Sequence, residues 1–104
     1  MSDLFSVTAR VEGEIAVITP VGEFDLAATD DFYACAQPLL QTVQTVVVDL
    51  REVSFLDSSG LNALLTFRQS ASAVGRKLTL RAPSDRVRRL LVLAGVTDIL
   101  PIEP

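Results

Sequence analysis

The residues best placed to do chemistry in this sequence form one short run, Asp57-Ser58-Ser59-Gly60. It precedes leucines at helical spacing, which makes it a turn leading into a helix. Such a turn leaves several backbone N–H groups pointing outward without partners. A serine or aspartate there accepts one of them as an N-cap and contributes ~1 kcal/mol. Capping is the plain role. The same position also suits a phosphorylated serine, whose charge of about −1.5 to −2 meets hydrogen-bond donors and roughly half a positive charge at a helix N-terminus. Asp57 opposes that charge, and so does Asp25 if the fold brings it close. A phosphate would then sit on an acidic rim and repel an acidic partner or spoil a close fit. That switches a surface without refolding it.

The remaining reactive residues have plainer readings. Cys35 lies among Phe32, Ala36 and Leu39, where a small buried apolar side chain is the expected role rather than a redox centre. Arg86, Arg88 and Arg89 cluster as a solvated face, with an anionic partner as the alternative. Asp49 and Asp57 could form an acid–base pair, but no nucleophile, metal cage or pocket accompanies them. The chain contains no histidine, which removes the Ser-His-Asp and Cys-His arrangements and nearly all zinc sites. Its five glycines form neither a G-x-x-x-x-G-K-[ST] loop nor a G-x-G-x-x-G turn. The sequence is read as a non-enzyme without a cofactor.

The elements that must position Ser58 follow from periodicity. Phe5, Val7, Ala9 and Val11 alternate with polar residues, as a half-buried strand requires. Glu12-Gly13-Glu14 turns, and Ile15-Ala16-Val17-Ile18 resumes as the second strand of an antiparallel hairpin. Pro20 and Gly22 end it. A helical stretch runs from Asp25 to about Thr42, with Asp30 and Asp31 at its positive end and Pro38 kinking it or starting its last turn. Val46-Val47-Val48 reads as a strand covered on both faces. Asp49 to Asp57 is a connection, and a helix from about Ser59 to Val74 follows, ended by Gly75. Leu78 and Leu80 mark another alternating strand. Pro83-Ser84-Asp85 opens a last helix with Val87, Leu90, Leu91 and Ala94 on one face, and Ile99 to Ile102 adds a short terminal strand. The order is β-β-α-β-α-β-α-β.

Composition bounds the same picture. At 104 residues the chain suits one α/β domain, residues 1–104, with a mixed sheet of four or five strands and helices mainly on one face. A formal charge of −4 disfavours direct nucleic-acid binding. The charge is uneven: residues 1–67 carry ten acids and two bases, residues 68–104 seven bases and three acids. A single cysteine excludes an internal disulfide and fits a reducing compartment. The longest apolar run, Leu90 to Val96, is seven residues, far below the ~20 that span a bilayer. Met1-Ser2-Asp3-Leu4 has no basic stretch, so no signal peptide is expected. Together these point to a cytoplasmic protein without membrane insertion.

Val47-Val48-Asp49-Leu50 followed by Val53-Ser54-Phe55-Leu56-Asp57-Ser58-Ser59-Gly60-Leu61 resembles the anti-sigma factor antagonists of the STAS domain class. Gly22-Glu23-Phe24-Asp25 is similar to that family's Gly-Glu-Leu/Ile-Asp segment, with Phe24 in place of the usual aliphatic. Asn62 after Leu61 is a second departure. The resemblance covers essentially the whole chain, including the Ala82-Pro83 exit from the penultimate strand. It implies an anti-anti-sigma factor acting in bacterial regulation of transcription by partner switching. The unphosphorylated form would bind an anti-sigma factor serine kinase and free the sigma factor; phosphorylation at Ser58 would end binding until a serine phosphatase restored it. Asp25, Asp57, Ser59 and Gly60 would form the partner-binding face around this phosphoprotein's acceptor. The same class also includes adaptor subunits of membrane transport assemblies, in which a serine here need not be phosphorylated.

Overall fold

The structure, a computed structural model, describes residues 4–104. The reading of the N-terminal tetrapeptide falls mostly on residues 1–3, outside the described residues. One five-stranded mixed sheet organises the chain. Strands β1 (Phe5–Glu12) and β2 (Ile15–Phe24) form the expected antiparallel hairpin, Phe5 opposite Gly22 and Glu12 opposite Ile15. Strand β3 (Thr45–Asp49) runs parallel to β2, and β5 (Lys77–Arg81) runs parallel to β3. Strand β4 (Val53–Leu56) pairs in parallel with the far end of β2.

The segment from Asp49 to Asp57 is therefore not merely a connection. Val53 and Leu56 are buried while Ser54 and Phe55 are exposed, a pattern that neither alternates nor runs continuously. A register shift explains it. Val53 faces Gly22, but Phe55 and Leu56 face Glu23 and Phe24, so Ser54 is an extra residue on the β4 side. The bulge turns both apolar ends of a four-residue strand to the core.

The helices are α1 (Thr29–Ala36), α2 (Ser58–Ala73) and α3 (Asp85–Leu93). The stretch expected as one helix to about Thr42 is broken: α1 lies between 3-10 turns at Leu26–Ala28 and Gln37–Gln41. Pro38 stands in the first positions of the second turn, where its missing N–H is harmless. Asp30 and Asp31 do occupy the first turn of α1. The terminal strand shrinks to a single parallel bridge between Leu80 and Ile102. Leu80 N–H donates to the Pro101 carbonyl and Glu103 N–H to the Leu80 carbonyl, both at 2.8 Å. Pro101, having no N–H, cannot extend the ladder.

Side chains on one sheet face, among them Ala16, Ile18, Phe24, Val46, Val48, Leu78 and Leu80, pack with Phe32, Ala36, Leu64, Phe67, Val87 and Leu91 of the helices. Four aromatic rings run through this core. Phe5–Phe24, Phe24–Phe32 and Phe32–Phe67 centroids are 5.2, 5.0 and 5.5 Å apart, linking β1, β2, α1 and α2. Val17 and Val47 are also buried but lie on the opposite face, apart from that core. The alternation in β1 is only half used: Phe5 is buried and Val7 partly so, while Ala9 and Val11 are exposed. Helix α1 meets only the start of this edge strand, where Phe5, Ser6 and Val7 share a hollow with Asp31, Ala34 and Cys35. Cys35 is accordingly half-buried rather than buried, because Phe32 and Ala36 occupy the inward face of α1. Desolvation still pushes its thiol pKa up.

Candidate functional site

Two chain segments converge where β2 and β4 end side by side. Phe24 is in register with Leu56, so Asp25 and Asp57 are the first residues to leave adjacent parallel strands. Strands in such a pair lie about 4.8 Å apart. The two carboxylates thus emerge from one edge of the sheet.

Two glycines permit this convergence. Gly22 has φ +98°, and a Cβ there would strike the Leu4 carbonyl oxygen. Its N–H donates to the Glu52 carbonyl, and Glu23 N–H donates to Leu4, each at 2.9 Å. Gly60, buried in the first turn of α2, packs its bare Cα against the Phe24 carbonyl; an added Cβ would strike that oxygen and come within 2.6 Å of Leu56 Cδ1. The start of α2 is therefore pressed onto the end of β2. Any side chain at position 60 would push them apart.

Asp57 caps α2. Its extended backbone (φ −106°, ψ −172°) lets the Oδ1 atom accept from Gly60 N–H at 3.0 Å, and its carbonyl accepts from Leu61 N–H at 2.9 Å. With that cap filled by the aspartate, the serines are spared. Ser58 is exposed in the first turn and Ser59 half-buried, and among the described residues neither hydroxyl makes a hydrogen bond.

Asp25 opens the 3-10 turn before α1, its carbonyl accepting from Ala28 N–H at 3.1 Å, but its side chain caps nothing. Its Oδ1 is buried without a hydrogen-bond partner. Among the described residues, none of Glu23, Asp25 and Asp57 is in an ion pair. The edge is thus acidic and unneutralised. A phosphate arriving on Ser58 would meet both the positive end of α2 and the carboxylate of its neighbour Asp57.

All five residues singled out in the sequence, Asp25, Asp57, Ser58, Ser59 and Gly60, fall at this junction. Asp49 has a different role: its Oδ1 accepts from Arg51 N–H at 3.0 Å within a turn. Two neighbours escaped notice. Leu26, directly after Asp25, is 72% exposed, and Phe55, two residues before Asp57, is 42% exposed. Nothing in their spacing distinguishes them from core residues; only the 3-10 turn at Leu26–Ala28 and the bulge in β4 turn them outward. Large apolar groups beside ordered acids are a common mark of a binding surface.

The chain matches the STAS domain over residues 6–104. It is 32% identical, over 88% of its length and 90% of the relative's, to a STAS-domain containing protein of Pseudomonas aeruginosa. It is 26% identical, over 78% of its length and 76% of the relative's, to an anti-sigma-B factor antagonist of Staphylococcus aureus. Among solved structures, it superposes on the anti-sigma factor antagonist SpoIIAA in its unphosphorylated form with a TM-score of 0.77 at 26% identity, covering 96% of this chain and 88% of the other. The phosphorylated form of that Bacillus protein gives a TM-score of 0.72 at 25% identity, with 96% and 91% covered. Matched over residues 6–104, this chain belongs to the STAS domain family, whose members are regulatory and adaptor domains rather than enzymes.

Proposed function

We propose that this protein is an anti-sigma factor antagonist controlled by phosphorylation of Ser58. The observation that carries the reading is the division of labour at the start of α2: Asp57 takes the cap, leaving the Ser58 hydroxyl exposed and unbonded. A kinase substrate needs no more than that, because the kinase supplies ATP, metal and the catalytic base. Unphosphorylated, the edge formed by Asp25, Leu26, Phe55, Asp57 and Ser58 binds an anti-sigma factor that is itself a serine kinase, and the sigma factor is released. Leu26 and Phe55 supply buried apolar area, while the acids select a basic surface on the partner. Transfer of the γ-phosphoryl group from the kinase's ATP to Ser58 Oγ, releasing ADP and passing the hydroxyl proton to the kinase's base, adds charge and bulk in the middle of that edge. Binding ends, and a serine phosphatase restores it by hydrolysis. The relatives named as anti-sigma factor antagonists, one of them solved with and without its phosphate, support this reading.

A pull-down from the source organism, wild type beside Ser58→Asp, tests it by mass spectrometry. Capture of a small serine kinase by the wild type alone is expected. Equal capture of a transporter ATPase by both would instead make the chain an adaptor and Ser58 an ordinary first-turn residue.

A further inference from the structure

The basic second half of the chain does not place all its charge on the exposed arginines of α3. Three of its seven cations, Arg68, Arg76 and Lys77, instead surround one groove, with Ser72, Thr79 and the single carboxylate of Asp98. Leu78, Ile99 and Pro101 complete its lining, and its volume is about 260 Å³. Arg68 and Ser72 lie ten and fourteen residues beyond Ser58 on the same helix, roughly 15 and 21 Å along its axis. The groove is thus at the opposite end of α2 from the acidic edge.

Three features make it more than a patch of surface charge. Among the described residues, Arg68, Lys77 and Asp98 are in no ion pair, although the molecule as a whole is acidic and has carboxylates to spare. Arg76 is held rigidly: Nε donates to the Leu40 carbonyl at 2.9 Å and Nη1 to the Val74 carbonyl at 3.1 Å. The far edge of its guanidinium is left for a ligand, and a fixed planar fork loses little entropy on pairing with an oxyanion. Finally, the cations border apolar residues in a concave site, where water is partly excluded and their field on a bound anion is strengthened.

We propose that this groove binds a small phosphomonoester: a dianionic head held by Arg68, Arg76 and Lys77, and a compact apolar body lying on Ile99 and Pro101. Three cations against one carboxylate leave an excess that matches a dianion. The exposed Ser72 hydroxyl can donate to one of its remaining oxygens. The volume admits a body the size of a single aromatic ring and leaves no room for a long chain. This assignment does not depend on the reading of Ser58.

Titration of the full chain with phenyl phosphate, followed by backbone amide NMR, tests it. Saturable shifts are expected at Ser72, Lys77, Leu78 and Thr79, while Asp57 and Ser58 stay unmoved. Phenol should produce no such shifts. The pair change of half-buried Arg68→Ala with exposed Lys77→Ala should weaken binding at least tenfold without altering the amide spectrum elsewhere, since among the described residues neither side chain makes an ion pair. Ser58→Asp should bind phenyl phosphate as the wild type does, which separates this site from the switch. The proposal is overturned if no shift saturates at millimolar concentration, if phenol matches phenyl phosphate, or if the double variant binds equally well.

Discussion

Whether Ser58 caps α2 or keeps its hydroxyl free is decided by its neighbour. Asp57 accepts the Gly60 N–H, so the helix takes its cap from the aspartate and the serine hydroxyl remains free. Asp57→Ala should therefore lower stability in urea unfolding by ~1 kcal/mol. Ser58→Ala, in contrast, should stay within about 0.5 kcal/mol of the wild type. Equal losses would return the capping role to Ser58. The residue types and spacing pointed to Ser58 and its neighbouring acids, but not to which of Asp57 and Ser58 caps, because that depends on one rotamer. Cys35 shows the same limit: its apolar neighbours suggested full burial, yet it lies beside the inward stripe of α1. Its thiol pKa is raised by desolvation. A folded pKa above the unfolded value means that the folded state resists ionisation. The associated stability is complete below the ordinary thiol pKa of ~8.5 and is lost as pH rises through the higher folded value. Alkylation by iodoacetamide should accordingly turn on at higher pH in the native protein than in urea, and coincident profiles would refute the shift.

At the scale of elements, the site depends on how closely α2 can approach the end of β2. Gly60 touches the Phe24 carbonyl, a backbone group that cannot rotate away. Alanine favours a helix over glycine by roughly 1 kcal/mol. Overpacking against backbone outweighs that, so Gly60→Ala should destabilise the domain by about 1–3 kcal/mol in thermal or urea unfolding. A stabilised variant would show that the junction is looser than described. Most elements were legible from periodicity, α2 and α3 most clearly, since their apolar residues recur every third or fourth position. Strand β4 was not. Four residues with one bulge show neither alternation nor a continuous run, and only its pairing with β2 makes it a strand. The helical stretch read through Pro38 keeps its extent, with Pro38 starting its last turn, but not a single helix type. Apolar spacing persists through Leu39 and Leu40, but the backbone there winds into a 3-10 turn.

Across the whole molecule, the four-ring chain of Phe5, Phe24, Phe32 and Phe67 joins the hairpin to both helices that frame the Ser58 edge. Phe32 is fully buried at its centre and touches rings on both sides. Phe32→Ala should cost about 3–5 kcal/mol and blur the near-ultraviolet signal of the core; a loss under about 1 kcal/mol would mean that the rings are not packed as seen. The α/β class and one-sided helices were readable from the order of elements. The uneven charge was readable too, but not its arrangement in space: acids at the edge where β2 and β4 end, and cations around a groove at the far end of α2. The proposed regulation would leave the fold untouched, because a phosphate on Ser58 would join an exposed hydroxyl and displace no internal hydrogen bond. The direct test is a calorimetric titration of the captured kinase with this protein, unphosphorylated and then stoichiometrically phosphorylated at Ser58. The account predicts tight binding for the first and affinity at least tenfold weaker for the second. Equal affinities would contradict it.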